Sequence, residues 1–240
     1  MLETNFNWLR QRTTKLELMD DFSIGGAELT EALRHLRLIN RIFGASGPTL
    51  YGVRRLWEQM DKPKQLSILD VGAGSGDVNQ RLLRWADQEQ IDLTVTLVDI
   101  TEEACKEAKH IFLNEPRIQV LQKDVFQLPE ASADIVTSTQ FLHHFTNEEL
   151  SQVTSCMLKA SRMGMVINDI HRHWVAWTAV WIVTRLISRN RYIQNDGPLS
   201  IAKGFRDEDW EQLKQTPGLE TLSYYWRPLF RYAVIVSKEA

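Results

Sequence analysis

The stretch Leu69-Asp70-Val71-Gly72-Ala73-Gly74-Ser75-Gly76-Asp77 decides the fold of this chain. It follows the apolar run Leu66 to Leu69 and precedes a helical pattern over Val78 to Trp85, so its glycines fall in a turn between a strand and a helix. Glycine there adopts backbone angles closed to other residues and lets a ligand approach the main chain. The helix that follows offers free N–H groups to a polar or anionic ligand. The expected result is a nucleotide-like cofactor bound at the first βα turn of an α/β sheet.

Spacing narrows the reading. The glycines run G-x-G-x-G at 72, 74 and 76, and no Lys-Ser/Thr pair follows, which argues against a phosphate-binding P-loop. A second strand, Leu93 to Val98, ends in Asp99, where a carboxylate can accept both ribose hydroxyls. A third, Ile118 to Gln122, leads into Lys123-Asp124-Val125, where an acid can meet an adenine amino group. A fourth, Ala133 to Thr137, runs into Ser138-Thr-Gln-Phe-Leu-His-His-Phe145, and a fifth is Gly164 to Asn168.

In that order these segments resemble class I S-adenosylmethionine-dependent methyltransferases: Leu69–Gly76 is similar to the family's first motif, Val98-Asp99 to the second, Asp124 to the third and Asp134–Phe145 to the fourth. The resemblance covers roughly Gln65 to Asp169. Leu142-His143-His144 is similar to the quinone-biosynthesis branch of small-molecule methyltransferases. Asn168-Asp-Ile-His-Arg172 resembles a bacterial group of natural-product methyltransferases. The resemblance implies a Rossmann-like, seven-stranded, mostly parallel sheet with the last strand antiparallel. It also implies S-adenosylmethionine as cofactor, held by Asp70, Gly72, Ala73, Gly74, Asp99, Ile100, Asp124, Val125, Thr139 and Gln140. A nicotinamide-dependent Rossmann enzyme and a methyltransferase-like domain without turnover stay open as alternatives.

A chain of 240 residues makes one α/β domain with an appendage. Residues 1–62 read as an entirely helical N-terminal segment, with helices over Ala27–Phe43 and from Ser46, acting as a cap on the cofactor end or as a buttress. Residues 63–240 then form the methyltransferase domain, with a helical insertion after the fifth strand, about 171–214, as a lid. The link Arg227-Pro-Leu-Phe230 suits a final antiparallel hairpin. Net charge is −3, with no basic tail or face, which disfavours nucleic acid. Cys105 and Cys156 read as reduced thiols, Met1 to Arg12 lacks the pattern of a secretory signal, and a cytoplasmic monomer or homodimer is expected.

For catalysis, His171 is the preferred general base, because Asp169 two residues earlier can orient it, and His144 is a weaker candidate. The alternative is that Asp169 and His171 cap the following helix or pair with Arg172. Histidines 143, 144, 171 and 173 show no i, i+4 pair and no adjacent cysteine, so no metal is expected. Trp174, Trp177 and Trp181 form one stripe of a helix that reads as the wall of an aromatic-substrate pocket. Core packing is the competing reading, and a membrane-surface role, from Arg185, Arg189 and Arg191, a third. The acceptor is then a small aromatic or apolar molecule of secondary metabolism. O-methylation of a phenolic or polyketide-like hydroxyl is the favoured reaction, with C-methylation of a quinone-type ring as the alternative.

Overall fold

The computed structural model describes residues 8–20 and 26–238. Seven strands form one sheet: β1 (Gln65–Val71), β2 (Asp92–Asp99), β3 (Ile118–Gln122), β4 (Ala133–Thr139), β5 (Ser161–Ile170), β6 (Ser223–Arg227) and β7 (Arg231–Ser237). Their order is β3-β2-β1-β4-β5-β7-β6. Only β7 is reversed, running antiparallel to both β5 and β6. The class I architecture implied by the motifs is therefore the architecture found. Chain direction switches at β1, between β2 and β4, and such a switch opens a crevice beyond the carboxyl ends of the strands.

Among the described residues eight α-helices accompany the sheet: α1 (Ala27–Ile42), α2 (Ser46–Gln59), α3 (Asn79–Glu89), α4 (Glu102–Ile111), α5 (Asn147–Ala160), α6 (Trp174–Ile187), α7 (Arg191–Lys203) and α8 (Asp207–Leu213). Two apolar clusters sandwich the sheet. One joins Val153 and Met157 of α5 and Trp210 of α8 to Val136, Ile167 and Val234; the other joins Val53 and Leu56 of α2 and Leu82 and Trp85 to Ile68, Val95 and Val166. Alternate strand residues feed each layer, as period-2 side chains must. Among the described residues no helix is long and apolar enough to cross a membrane.

The N-terminal segment departs from the helical expectation. Residues 12–17 run without regular structure as a strap, followed by a short 3-10 turn at Leu18–Asp20. The part of that reading on residues 1–7 and 21–25, and of the leader reading on 1–7, lies outside the described residues. α2 belongs to the sheet's own layer: a Cβ on Gly52 would stand 2.4 Å from Val166 Cγ1, so helix and strand touch closely. α8 likewise is core and not lid, because Trp210 is fully buried against Phe205. The insertion reduces to α6 and α7. It is cinched at its base where Phe205 N–H donates to Ile170 O and Arg172 N–H to Phe205 O.

Candidate active site

A cavity of about 910 Å³ opens at the carboxyl ends of the strands. The glycine turn forms its floor. Gly72 has φ +61°, and a Cβ there would stand 2.1 Å from the Phe141 ring. Gly74 has φ +55° and nothing within 4 Å of the Cβ position, so it leaves open space for a ligand. Gly74 N–H donates to Asp99 Oδ2 at 2.8 Å, while Thr101 N–H and hydroxyl hold Asp99 Oδ1. The second strand's terminal acid thus fixes the first strand's loop and sits beside it on the cavity wall.

Asp70 supports this floor from below. Thr137 donates to its Oδ1 at 2.7 Å and Asn79 Nδ2 to its Oδ2 at 2.6 Å. Burial raises the Asp70 carboxyl to about 6, against the pull of those two hydrogen bonds. Its role is therefore to tie β1, β4 and the start of α3 together. The sequence reading missed Asn79. Ala73, Ile100, Asp124 and Val125 line the same side; Ile100 is an exposed apolar residue at the rim, and Asp124 Oδ1 caps a short turn by accepting Phe126 N–H. Thr139 and Gln140 also line the cavity but are engaged. Thr139 shares a 2.8 Å hydrogen bond with Thr49 of α2, and Gln140 Nε2 donates to Asn40 of α1. Gln140 Oε1 accepts from Arg231, a buried arginine at the start of β7.

Over the other half lie α1, the strap, α6, α7 and the β6–β7 turn. Leu36, Ile39, Ala176, Val180, Ile201 and Phe230 give this half an apolar wall, bordered by the charged Arg12, Glu17, Asp20 and Lys203. The tryptophan expectation fails here: α6 turns Ala176, Ala179 and Val180 inward, and Trp174, Trp177 and Trp181 do not line the cavity. A stripe of large residues marks an apolar face, but burial followed the small side chains because α7 crosses α6 closely at Gly197, where a Cβ would meet Thr184 Cγ2 at 2.8 Å.

His171 also fails its expectation. Ile170 reaches the cavity; His171 does not, and packs between Tyr232, Phe230 and His173 instead. Trp226 Nε1 donates to its Nδ1 at 3.2 Å. Burial, with His173 beside it, lowers the His171 imidazole to about 4. Asp169 does not touch it. The partner of Asp169 is His143: Nδ1 and Oδ1 are 2.8 Å apart, with His143 2% and Asp169 0% exposed. Burial would raise the Asp169 carboxyl, but the His143 charge and hydrogen bond and the Ile170 N–H outweigh it and hold it below its ordinary value. His143 lines the cavity. The rest of the Asn168–Arg172 motif is structural: His173 caps α6 through Val175 N–H, and Arg172 donates to Leu9 O and Gly204 O.

His144 serves the strap. Its Nδ1 lies 2.7 Å from Asp20 Oδ1, and Lys203 Nζ lies 3.0 Å from Asp20 and 3.5 Å from Glu17. Glu17 Oε1 is 3.7 Å from His143 Nε2. Arg12 adds bonds to the carbonyls of His143, Phe145 and Lys203. Among the described residues Glu17, His143 and His144 bring three potential metal-ligand atoms within 4.8 Å of one another. Lys203 already supplies the positive charge at the Glu17 corner, so the cluster reads as an ion-pair latch between strap and lid. None of Arg12, Glu17, Asp20 or Lys203 had a local sequence signal; tertiary packing alone buries Glu17 and Lys203 and half-buries Arg12 and Asp20.

Residues 68–164 match the family described as a methyltransferase domain. The non-reducing polyketide synthase Preu3 of Preussia isomera is 26% identical over 125 residues, 47% of this chain and 5% of that protein. The carbon methyltransferase CurJ superposes with a TM-score of 0.59 at 13% identity, over 80% of this chain and 54% of the other. A SAM dependent methyltransferase from Aquifex aeolicus superposes with a TM-score of 0.59 at 13% identity, over 87% and 97%. This chain thus spans a small part of the polyketide synthase and about half of the CurJ chain, and the structural likenesses are likenesses of fold. Residues 68–164 are thus similar in sequence to the methyltransferase-domain family, and the sheet around them has the class I methyltransferase fold.

Proposed function

We propose that this chain transfers a methyl group from S-adenosylmethionine to a small apolar acceptor, and that His143, oriented by Asp169, removes the acceptor's proton. The buried 2.8 Å His143–Asp169 pair at the cavity wall carries the reading. The residues fit the cofactor on two observations: the space over Gly74 is open, and Asp99 is fixed beside it. Asp99 would accept the ribose hydroxyls, Asp124 would face the adenine amino group, Ile100 and Val125 would flank the ring, and Gly72, Ala73, Thr139 and Gln140 would line the methionine end. S-adenosylmethionine, when bound, supplies an activated methyl on sulfur.

The protein's task is then alignment and proton removal. In its neutral form, with Nδ1–H directed at Asp169, His143 has its Nε2 lone pair, 3.7 Å from Glu17 Oε1, to take the acceptor's proton. The apolar wall from α1, α6 and α7 suits an acceptor with an apolar body. O-methylation of an aromatic hydroxyl is the first reading. The polyketide synthase relative favours a second, methylation at an activated carbon of a polyketide-like molecule, where the same base would remove a carbon-bound proton.

Calorimetry with S-adenosylhomocysteine tests the cofactor: the wild type should bind and Asp99→Ala should lose roughly 1.5–3 kcal/mol of affinity, the scale of a charge-assisted hydrogen bond. Unchanged affinity in a folded Asp99→Ala protein would remove the assignment. Incubation of phenols and β-keto thioesters with methyl-labelled cofactor, followed by NMR of the products, assigns oxygen or carbon as the acceptor atom. Binding without transfer to any acceptor would favour a non-catalytic, cofactor-binding protein.

A further inference from the structure

The face that α6 turns to solvent carries larger apolar side chains than the face it buries. Its buried residues are Ala176, Val180 and Thr184. At about 100° per residue, Trp181, Ile182, Arg185 and Leu186 share one outward arc of about 140°, and Arg189 follows just past the end of the helix. Trp181 is 41%, Ile182 45% and Leu186 80% exposed, and both arginines are exposed. An ordinary surface helix shows the reverse, with its large apolar residues inward. The Arg185 guanidinium sits 4.1 Å over the Trp181 ring, holding charge and aromatic surface together at the same level.

Charge selects the occupant. The whole chain has 31 acids against 28 lysines and arginines, yet Trp174 to Asn195 contains three arginines and no acid. On the neighbouring elements, Glu28 of α1 is taken by Arg191, Glu31 accepts from Asn190, and Asp196 of α7 accepts the strap's Leu18 and Met19 N–H groups. The outward arc is therefore cationic and apolar with no acid of its own. A second copy docked two-fold through this face would set arginines against arginines. An anionic bilayer surface satisfies all three residue types: headgroups for Arg185 and Arg189, the interface for Trp181, and acyl chains for Ile182 and Leu186.

We propose that the outer face of α6 docks this chain on an anionic lipid surface. The opposite face of the same helix lines the apolar cavity through Ala176, Ala179 and Val180. A lipophilic molecule would then pass from bilayer to cavity around one helix. The docking stands on the helix face alone and is independent of the reaction proposed above.

Co-sedimentation with phosphatidylcholine vesicles, with and without roughly a third phosphatidylglycerol, tests it. The wild type should pellet with the anionic vesicles only, and less at high salt. Leu186→Glu should abolish pelleting without changing the thermal melt. Replacing both Arg185 and Arg189 by Gln should weaken it about 25-fold, about fivefold for each arginine near the surface. The proposal is overturned if the wild type stays in the supernatant with anionic vesicles at low salt, or if both variants pellet like the wild type. A concentration-dependent dimer, formed without vesicles and lost in Leu186→Glu, would also overturn it and assign the face to a second copy.

Discussion

Asp169 Oδ1 stands 2.8 Å from His143 Nδ1, while His171, two residues on and just past the end of β5, has its Nδ1 occupied by the Trp226 indole. The two histidines lie at ends of neighbouring strands and differ in what reaches them: a carboxylate and the cavity for one, an aromatic cluster for the other.

The first prediction separates them. His143→Ala should lower kcat about 10²–10⁴-fold at neutral pH, the usual worth of general base catalysis. Asp169→Asn should give a smaller loss in the same direction, and His171→Phe should leave turnover near wild type. The loss in His143→Ala should shrink as pH approaches the acceptor's own pKa, because the acceptor then arrives deprotonated. Normal turnover in His143→Ala, with a severe loss in His171→Phe, would reverse the assignment.

The strap should loosen as pH rises. Burial would lower the His144 imidazole, but the Asp20 hydrogen bond and nearby Glu17 outweigh it and raise it, with Lys203 opposing. Asp20, despite its burial, is lowered by His144 and Lys203. A raised histidine contributes stability that is complete below its ordinary value of about 6.5 and is lost above its raised one; a lowered aspartate contributes stability that is lost in acid. The latch is therefore tightest between these limits. Limited proteolysis within residues 12–20 should accelerate several-fold from about pH 6 to pH 9, and His144→Gln should flatten that dependence. A cleavage rate unchanged with pH in the wild type, after correction for the protease's own profile, would count against the latch.

Asp70 shifts in the same direction as His144 and opposite to Asp20. Its folded value of about 6 exceeds the unfolded value of about 3.9, so the native state holds the proton more tightly. Stability should fall as pH rises through this interval, by roughly 3 kcal/mol, and level off above it. Asp70→Asn removes the titration. The difference in unfolding free energy between wild type and variant should therefore slope between about pH 4 and pH 6 and be flat beyond. A flat difference across that interval would show that Asp70 ionises normally in the fold.

The β6–β7 turn carries strain where the acceptor is expected. Leu229 (φ +63°) and Phe230 (φ +56°) both adopt left-handed angles, and both line the cavity. Left-handed backbone costs an ordinary residue about 1–2 kcal/mol, and Asn tolerates it better. Leu229→Asn should raise stability by about 1 kcal/mol in a denaturant titration. It should also raise the acceptor's KM with little change in S-adenosylhomocysteine affinity. A variant less stable than wild type would mean that Leu229 is held by packing rather than strained.

What the sequence determined by itself was everything set within a few residues of one strand end. The glycine turn, the terminal Asp99 and Asp124, and the alternation of strands and helices from Gln65 onward are local patterns, so the sheet and the loops that line the cavity at its carboxyl edge were legible. The final reversed strand was legible too, from the short link between β6 and β7. Tertiary structure alone decided which histidine meets Asp169, because that depends on how the Leu142–His144 turn after β4 folds against the end of β5, 26 positions away. It also decided which face of α6 is buried: the helix is apolar nearly all round, so its pattern permitted either face, and the close crossing of α7 at Gly197 chose the small one. The strap was invisible for the same reason. Arg12, Glu17 and Asp20 acquire meaning only from Lys203, His143 and His144, which lie far along the chain and are brought within 4 Å by the fold.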